Sequence, residues 1–212
     1  MLPGLWYNFL VFFLVVVFGV VLGLIFSTIR LNTNIAVRAI ATFYIGLFRN
    51  APEYVTLVWF LYVPALLLSK LLESNVTFDP LVVAVMALSL SAGAFYAEIF
   101  RAGILSVPKG QIEAARATGM SRTLTLRRII LPQAIRQMLP EFLNECVSVF
   151  KGTTLVSLVM VPDLVYGVNL VSSYTGQALP LYTGIALIYF VIVFTMTSIA
   201  EKLSNPWRDK IG

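Results

Sequence analysis

The sequence predicts an all-α integral membrane protein that crosses the bilayer five times, and three observations carry this. Apolar residues make up 59% of the 212 residues and charged residues only 12%, about half the charged share of an average soluble domain. Mean hydropathy is +0.89, and a soluble domain of this length, most of whose surface stays wet, cannot hide so much apolar area. The apolar residues also fall in runs long enough to span, separated by stretches that hold nearly all the charge.

The spans follow in order within one transmembrane domain over 1–212. Trp6 to Ile29 has no charge and is roughly 36 Å long as a helix, enough to cross with some tilt. It lacks the basic start of a signal peptide and is too long for one. Residues 34–48 form a helix at the interface or one leading obliquely into the second span, 51–72. Pro64 sits inside that span, where neighbours can satisfy the carbonyl it frees. The third span is 81–105. The fourth, 142–161, is visibly polar, and the fifth, 181–200, carries no charge. The 161–180 connector mixes Pro162, Gly167 and Gly176 with apolar residues and packs over the mouth of the bundle or dips into the membrane.

Charge fixes a direction. Of the 15 Lys and Arg, thirteen fall on one side: Arg30, Arg38, Arg49, the seven from Arg101 to Arg136, Lys202, Arg208 and Lys210. Lys70 stands alone on the other side, and Lys151 lies inside a span. Basic loops stay cytoplasmic, so the N-terminus is expected outside and the C-terminus inside. The same distribution explains the basic pI of about 9.5 without nucleic acid as a partner. The inventory excludes more. There is no His and one Cys, which removes His-based zinc sites and triads, thiolate clusters and an internal disulfide. No GxxxxGK[ST] phosphate loop occurs, so the chain is not expected to bind ATP.

The long loop over 106–136 is the most informative stretch. Pro108 opens a short helix where its missing amide costs nothing. Glu113, Ala114, Ala115 and Arg116 follow, and Gly119 stands where a helix commonly stops with positive φ. Ser121 caps a second helix to about Leu131, and Pro132 marks a bend. The small Ala114–Ala115 pair lets another surface approach, and Glu113 and Arg116 supply charge for helix-in-groove docking to a cytosolic partner.

Glu113-Ala114-Ala115, three residues, Gly119, nine residues, then Ile129-x-Leu131-Pro132 resembles the EAA signature of permease subunits of bacterial ABC importers. Phe48 to Pro52 (FRNAP), Ala97 to Ile104 (AEIFRAGI), Pro108 to Ala115 (PKGQIEAA) and Lys151 to Val159 (KGTTLVSLV) are similar to the polar amino-acid branch, with its histidine, glutamine, arginine and glutamate/aspartate permeases. The resemblance implies a type I importer permease with a five-helix core. It implies a second permease, identical or paralogous, two ATPase subunits that hold ATP and Mg, and a periplasmic or lipid-anchored amino-acid-binding protein. By that analogy Lys109, Gly110, Glu113, Ala114, Ala115, Arg116 and Gly119 belong to the coupling helix, and transport proceeds by alternating access. The chain itself is then a transport subunit with no cofactor, not an enzyme. An autonomous transporter or channel and an intramembrane enzyme fit less well.

Ionisable groups inside spans are costly and raise functional hypotheses. Glu98 and Arg101, three apart, form a structural pair or part of a gate or substrate path. Glu141, Glu145, Ser148 and Gly152 repeat at helical spacing, with Asn144 and Lys151 on a neighbouring face, so span four carries a polar stripe. Gly152, Thr153 and Thr154 suggest a loosened helix that exposes backbone to a ligand. Lys151 suits an amino-acid carboxylate, and Glu145, Asn144 or Glu98 its ammonium. Many relatives carry Asp or Asn where this chain has Gly152. Its absence leaves the local charge positive and leans toward an acidic or neutral cargo. Arg49 either anchors span two by snorkelling or reaches the path.

Overall fold

The computed structural model describes residues 2–208; Lys210, counted above, lies outside them. Within them five helical stretches are long and apolar enough to cross a membrane: Pro3–Arg30, Glu53–Leu72, Pro80–Leu105, Arg122–Val159 and Ala178–Asn205. The element order is α1 (Leu2–Arg30), α2 (Ile35–Asn50), α3 (Glu53–Leu72), α4 (Pro80–Leu105), α5 (Lys109–Ala117), α6 (Arg122–Thr125), α7 (Leu131–Gly152), α8 (Leu164–Thr175) and α9 (Ala178–Arg208). No strand occurs among the described residues.

The centre of the bundle is α4, which is buried along most of its length. Its small residues, among them Ala84, Ala87, Ala92, Gly93, Ala94 and Ala97, let neighbours close on it. In lipid, helices associate through such packing and not through the hydrophobic effect. The most extensive pairing is with α1. There Gly19 and Gly23, one turn apart, face Tyr96: a Cβ on Gly23 would stand 2.6 Å from the Tyr96 Cβ. Tyr96 is fully buried, stacks on Phe100 and packs against Phe142. The backbone cannot retreat from that contact, so Gly23→Val is expected to destabilise the bundle by about 1–3 kcal/mol. A lower unfolding midpoint of the purified protein checks this, and an unchanged midpoint refutes the close approach.

Capping follows sequence-local chemistry. Asn34 accepts from the Ala36 amide to start α2, Asp79 from Val82 to start α4, and Asp163 from Tyr166 to start α8, each giving a free helical donor a partner. The α2 helix crosses the middle of α4: the Tyr44 hydroxyl donates to the Leu90 carbonyl at 2.8 Å, and Ile45 packs with Ala94 and Ala97. It ends at Asn50, and α3 restarts at Glu53 after Ala51 and Pro52. The helix of the second crossing therefore starts afresh at Glu53, with α2 leading into it.

The helix that carries the fourth crossing departs most from expectation. It runs unbroken from Arg122 through Pro132, well ahead of the apolar stretch that opens near 142. The residues Leu126–Ile130 form a π turn in which the Leu131 amide reaches the Leu126 carbonyl. A proline at 132 cannot donate to the carbonyl four residues back and crowds it. The wider turn just before it absorbs both problems, so the helix carries on. Past Gly152 the chain does not open; it tightens into a 3-10 segment, Thr153–Val159. Met160 then takes φ +66 and ends it. The 161–180 connector folds as α8, whose Leu164 and Val168 pack with Leu5 of α1 and with Leu181, Ile185 and Tyr189 of α9.

Candidate functional site

Three polar assemblies stand out. The first is α5, at the end of the bundle opposite α8. Its C-terminus is closed by the Gly119 amide on Arg116 O and the Met120 amide on Ala115 O, with Gly119 at φ +81, the paired bonds that satisfy the last carbonyls of a helix. Ser121 caps α6 through the Leu124 amide at 3.3 Å. Lys109, Gly110, Glu113, Ala114 and Arg116 are exposed, but Ala115 is buried against its own chain. The small pair is thus divided: Ala114 faces outward, and Ala115 seats α5 on the following turn. Gln133 donates to Gln111 at 2.6 Å, tying α5 to the base of α7.

The second assembly is the polar face of α7. Glu141, Asn144, Ser148 and Lys151 are exposed on the isolated chain, while Glu145, Gly152 and Thr154 are half-buried. At one edge Glu53, the first residue of α3, reaches across: its Oε2 lies 3.1 Å from where a Gly152 Cβ would be. Glu145 lies within electrostatic reach of Glu53, Glu141, Arg49 and Lys151. Lys151 and Thr154 stand at the other edge, over an apolar groove of about 600 Å3 against Tyr189, Phe190, Val193 and Phe194. Sequence reasoning missed Glu53, which it left unremarked near the start of the second span; its approach to α7 joins segments far apart in the chain. A carboxylate directly after a proline, at the head of an apolar run, was the available signal. Glu53 also changes the charge argument built on Gly152. The space is not left positive: three carboxylates share this face with Lys151 and Arg49.

Thr153 does not belong to this face. It is fully buried, donates to the Phe150 carbonyl and accepts from Asn8 Nδ2 at 3.2 Å. The Asn8 amide also donates to Asp163 Oδ2 at 3.1 Å and accepts from the Leu164 amide. Asn8, Thr153 and Asp163 thus form a closed knot joining α1, the end of α7 and the cap of α8. Burial pushes the Asp163 carboxyl above its ordinary range, while hydrogen bonds from the Tyr166 amide and Asn8 pull the other way. Gly4 lies against the Asp163 carbonyl, where a Cβ would be 2.6 Å away. Neither Asn8 nor Asp163 was singled out from sequence.

The third assembly surrounds Glu98, which accepts from Arg30 and from Arg101 Nε at 2.7 Å. Arg49 Nη1 stands 3.8 Å away, with its guanidinium over the Phe95 ring at 5.3 Å. Glu98 and Arg101 are thus paired as their spacing suggests, and Glu98 is engaged by cations rather than open to a ligand's ammonium.

The chain matches the family model for "binding-protein-dependent transport system inner membrane component" over residues 2–208. It belongs to that family. The permease is 36% identical over 204 residues to the L-cystine transport system permease protein TcyB of Bacillus subtilis, covering 95% of this chain and 84% of that one. It is 32% identical to the glutamate/aspartate import permease protein GltK of Escherichia coli, covering 90% and 85%. Among solved structures, an amino acid ABC transporter crystallised with histidines superposes with a TM-score of 0.86 at 30% identity, covering 97% of the permease and 92% of that chain. The MetNI methionine ABC transporter shares the fold, with a TM-score of 0.77 at 18% identity. The permease is therefore an ABC-importer membrane subunit, a transport component and not an enzyme, and it works beside ATPase and binding-protein partners.

Proposed function

We propose that this permease carries a polar amino acid inward along the face shared by α3 and α7. The cargo is delivered by a periplasmic or lipid-anchored binding protein. Glu53 and Glu145 are suited to accept from an α-ammonium, and Lys151 to hold a carboxylate. Asn144, Ser148 and Thr154 add neutral donors and acceptors. The carrying observation is the approach of Glu53 to Gly152, which gathers intramembrane carboxylates where buried charge is otherwise avoided. The amino-acid permeases among its relatives support the cargo class. With Glu53 in place the site suits the zwitterion itself, which within the lean toward an acidic or neutral cargo favours the neutral one.

In this reading the exposed face of α5 couples to an ATPase, and a second permease, identical or paralogous, completes the path. Two ATPases hold the ATP and Mg; this chain holds no cofactor. Their closure drives alternating access. The Lys and Arg distribution supports a cytoplasmic α5 and C-terminus and an outside N-terminus.

Uptake of labelled amino acids by proteoliposomes of the complete complex, with ATP inside and the binding protein outside, tests the site. Glu53→Gln and Glu145→Gln are expected to lower uptake at least about tenfold, a loss near 1.4 kcal/mol. Wild-type uptake in both would remove the assignment.

A further inference from the structure

The cluster around Glu98 holds more cation than it needs. Three guanidinium groups, from Arg30, Arg49 and Arg101, converge on one carboxylate, leaving an excess of two positive charges. Arg30 and Arg101 make the close contacts, while Arg49 stands off at 3.8 Å with 43% of its side chain exposed. Beside them lies a cavity of about 300 Å3, walled by Arg30, Arg49 and Glu98 and floored by Thr42, Gly46 and Asn50 of α2. The floor is open: a Cβ on Gly46 would meet nothing within 4 Å. The stacking of Arg49 on Phe95 holds its guanidinium at the rim in advance of any ligand, which reduces the ordering cost of binding.

The neighbouring surface identifies the occupant. On the adjoining face of α2, Ile40, Phe43 and Leu47 are exposed at 64%, 73% and 49%, an apolar surface suited to acyl chains. Arg30 ends α1 and Arg49 lies in the last turn of α2. With the sidedness of the proposed function, on which this inference rests, the cavity faces the cytoplasmic leaflet, where anionic headgroups gather and basic pockets between helices receive them. We propose that this cavity binds the phosphodiester of an anionic lipid. Arg49 and Arg30 contact its oxygens, since guanidinium matches phosphate geometry in a bidentate way, and the acyl chains lie along α2.

The test uses the complete complex in nanodiscs of phosphatidylcholine, with or without phosphatidylglycerol, and reads the thermal midpoint, which does not require transport. Phosphatidylglycerol is expected to raise the midpoint by about 5 °C. Arg49→Gln removes most of that shift, while Glu98 keeps Arg30 and Arg101. Gly46→Leu fills the cavity without altering any charge and abolishes the shift as well. Inorganic phosphate in phosphatidylcholine discs gives little. Equal midpoints in the two lipids, or a full shift retained in both variants, would overturn the site. A full shift with inorganic phosphate alone would overturn the lipid as its occupant. Because transport is not measured, a negative result here leaves the proposed cargo path to its own test.

Discussion

Replacing Asn8 by leucine is expected to destabilise the protein by about 3 kcal/mol. The amide of Asn8 is fully buried and serves Thr153, Asp163 and the Leu164 amide at once. Leucine shares its branching at Cγ, is larger and makes none of these bonds. The groups left behind cannot turn to water, and each unsatisfied buried partner costs about 1–3 kcal/mol. Asp163 loses most, since its carboxylate keeps only bonds that also cap α8. Asp163→Asn should cost less, because an asparagine oxygen can still cap the helix. In the double variant the two losses should not add, as expected for groups in contact. Unfolding midpoints of the purified protein for the two singles and the double measure this. Strict additivity would show that Asn8 and Asp163 do not act as one unit.

Glu113→Lys is expected to cut transport by about 10–100-fold while the chain still inserts and folds. Glu113 is exposed on α5 and makes no ion pair among the described residues, so its own fold gives no reason for loss. Reversing a charge at a docking surface sets like charge against like, and a cost of about 1.4–2.8 kcal/mol corresponds to that loss. Gly119→Glu should act by another route. At φ +81 any side chain adds about 1–2 kcal/mol of strain, and the exit of α5 shifts. Uptake by proteoliposomes, read beside the amount of inserted chain, separates coupling from folding. Unchanged uptake in both variants would remove α5 from the coupling role.

What could be read in the sequence was what depends on local chemistry. Long apolar runs gave five crossings because lipid admits little else. Gly119 announced the end of α5, and Asn34, Asp79, Ser121 and Asp163 had the side chains that cap helices. Readings failed where two distant segments meet. Glu53 drew no reading near the start of the second span, and its approach to Gly152 brings α3 against α7, two helices far apart in the chain. Thr153 shared a run with Lys151 and Gly152, yet the helix tightens there and turns it toward Asn8. Pro132 offered a bend, but sequence gives no sign of the π turn that carries the helix through it. Asn8, one amide in an apolar run, was the overlooked clue: such a residue in a membrane helix needs a partner.

The most direct measurement is a mild-detergent purification of the tagged chain from native membranes, with partners identified and ATP hydrolysis assayed. An ABC-importer permease with a docking α5 should bring down an ATPase subunit, with a second five-span permease if the complex is heteromeric. Hydrolysis should rise with the binding protein and its amino acid. Glu113→Lys should recover less ATPase. Recovery of this chain alone, while a control importer stays intact under the same conditions, would contradict the coupling reading and favour an autonomous transporter.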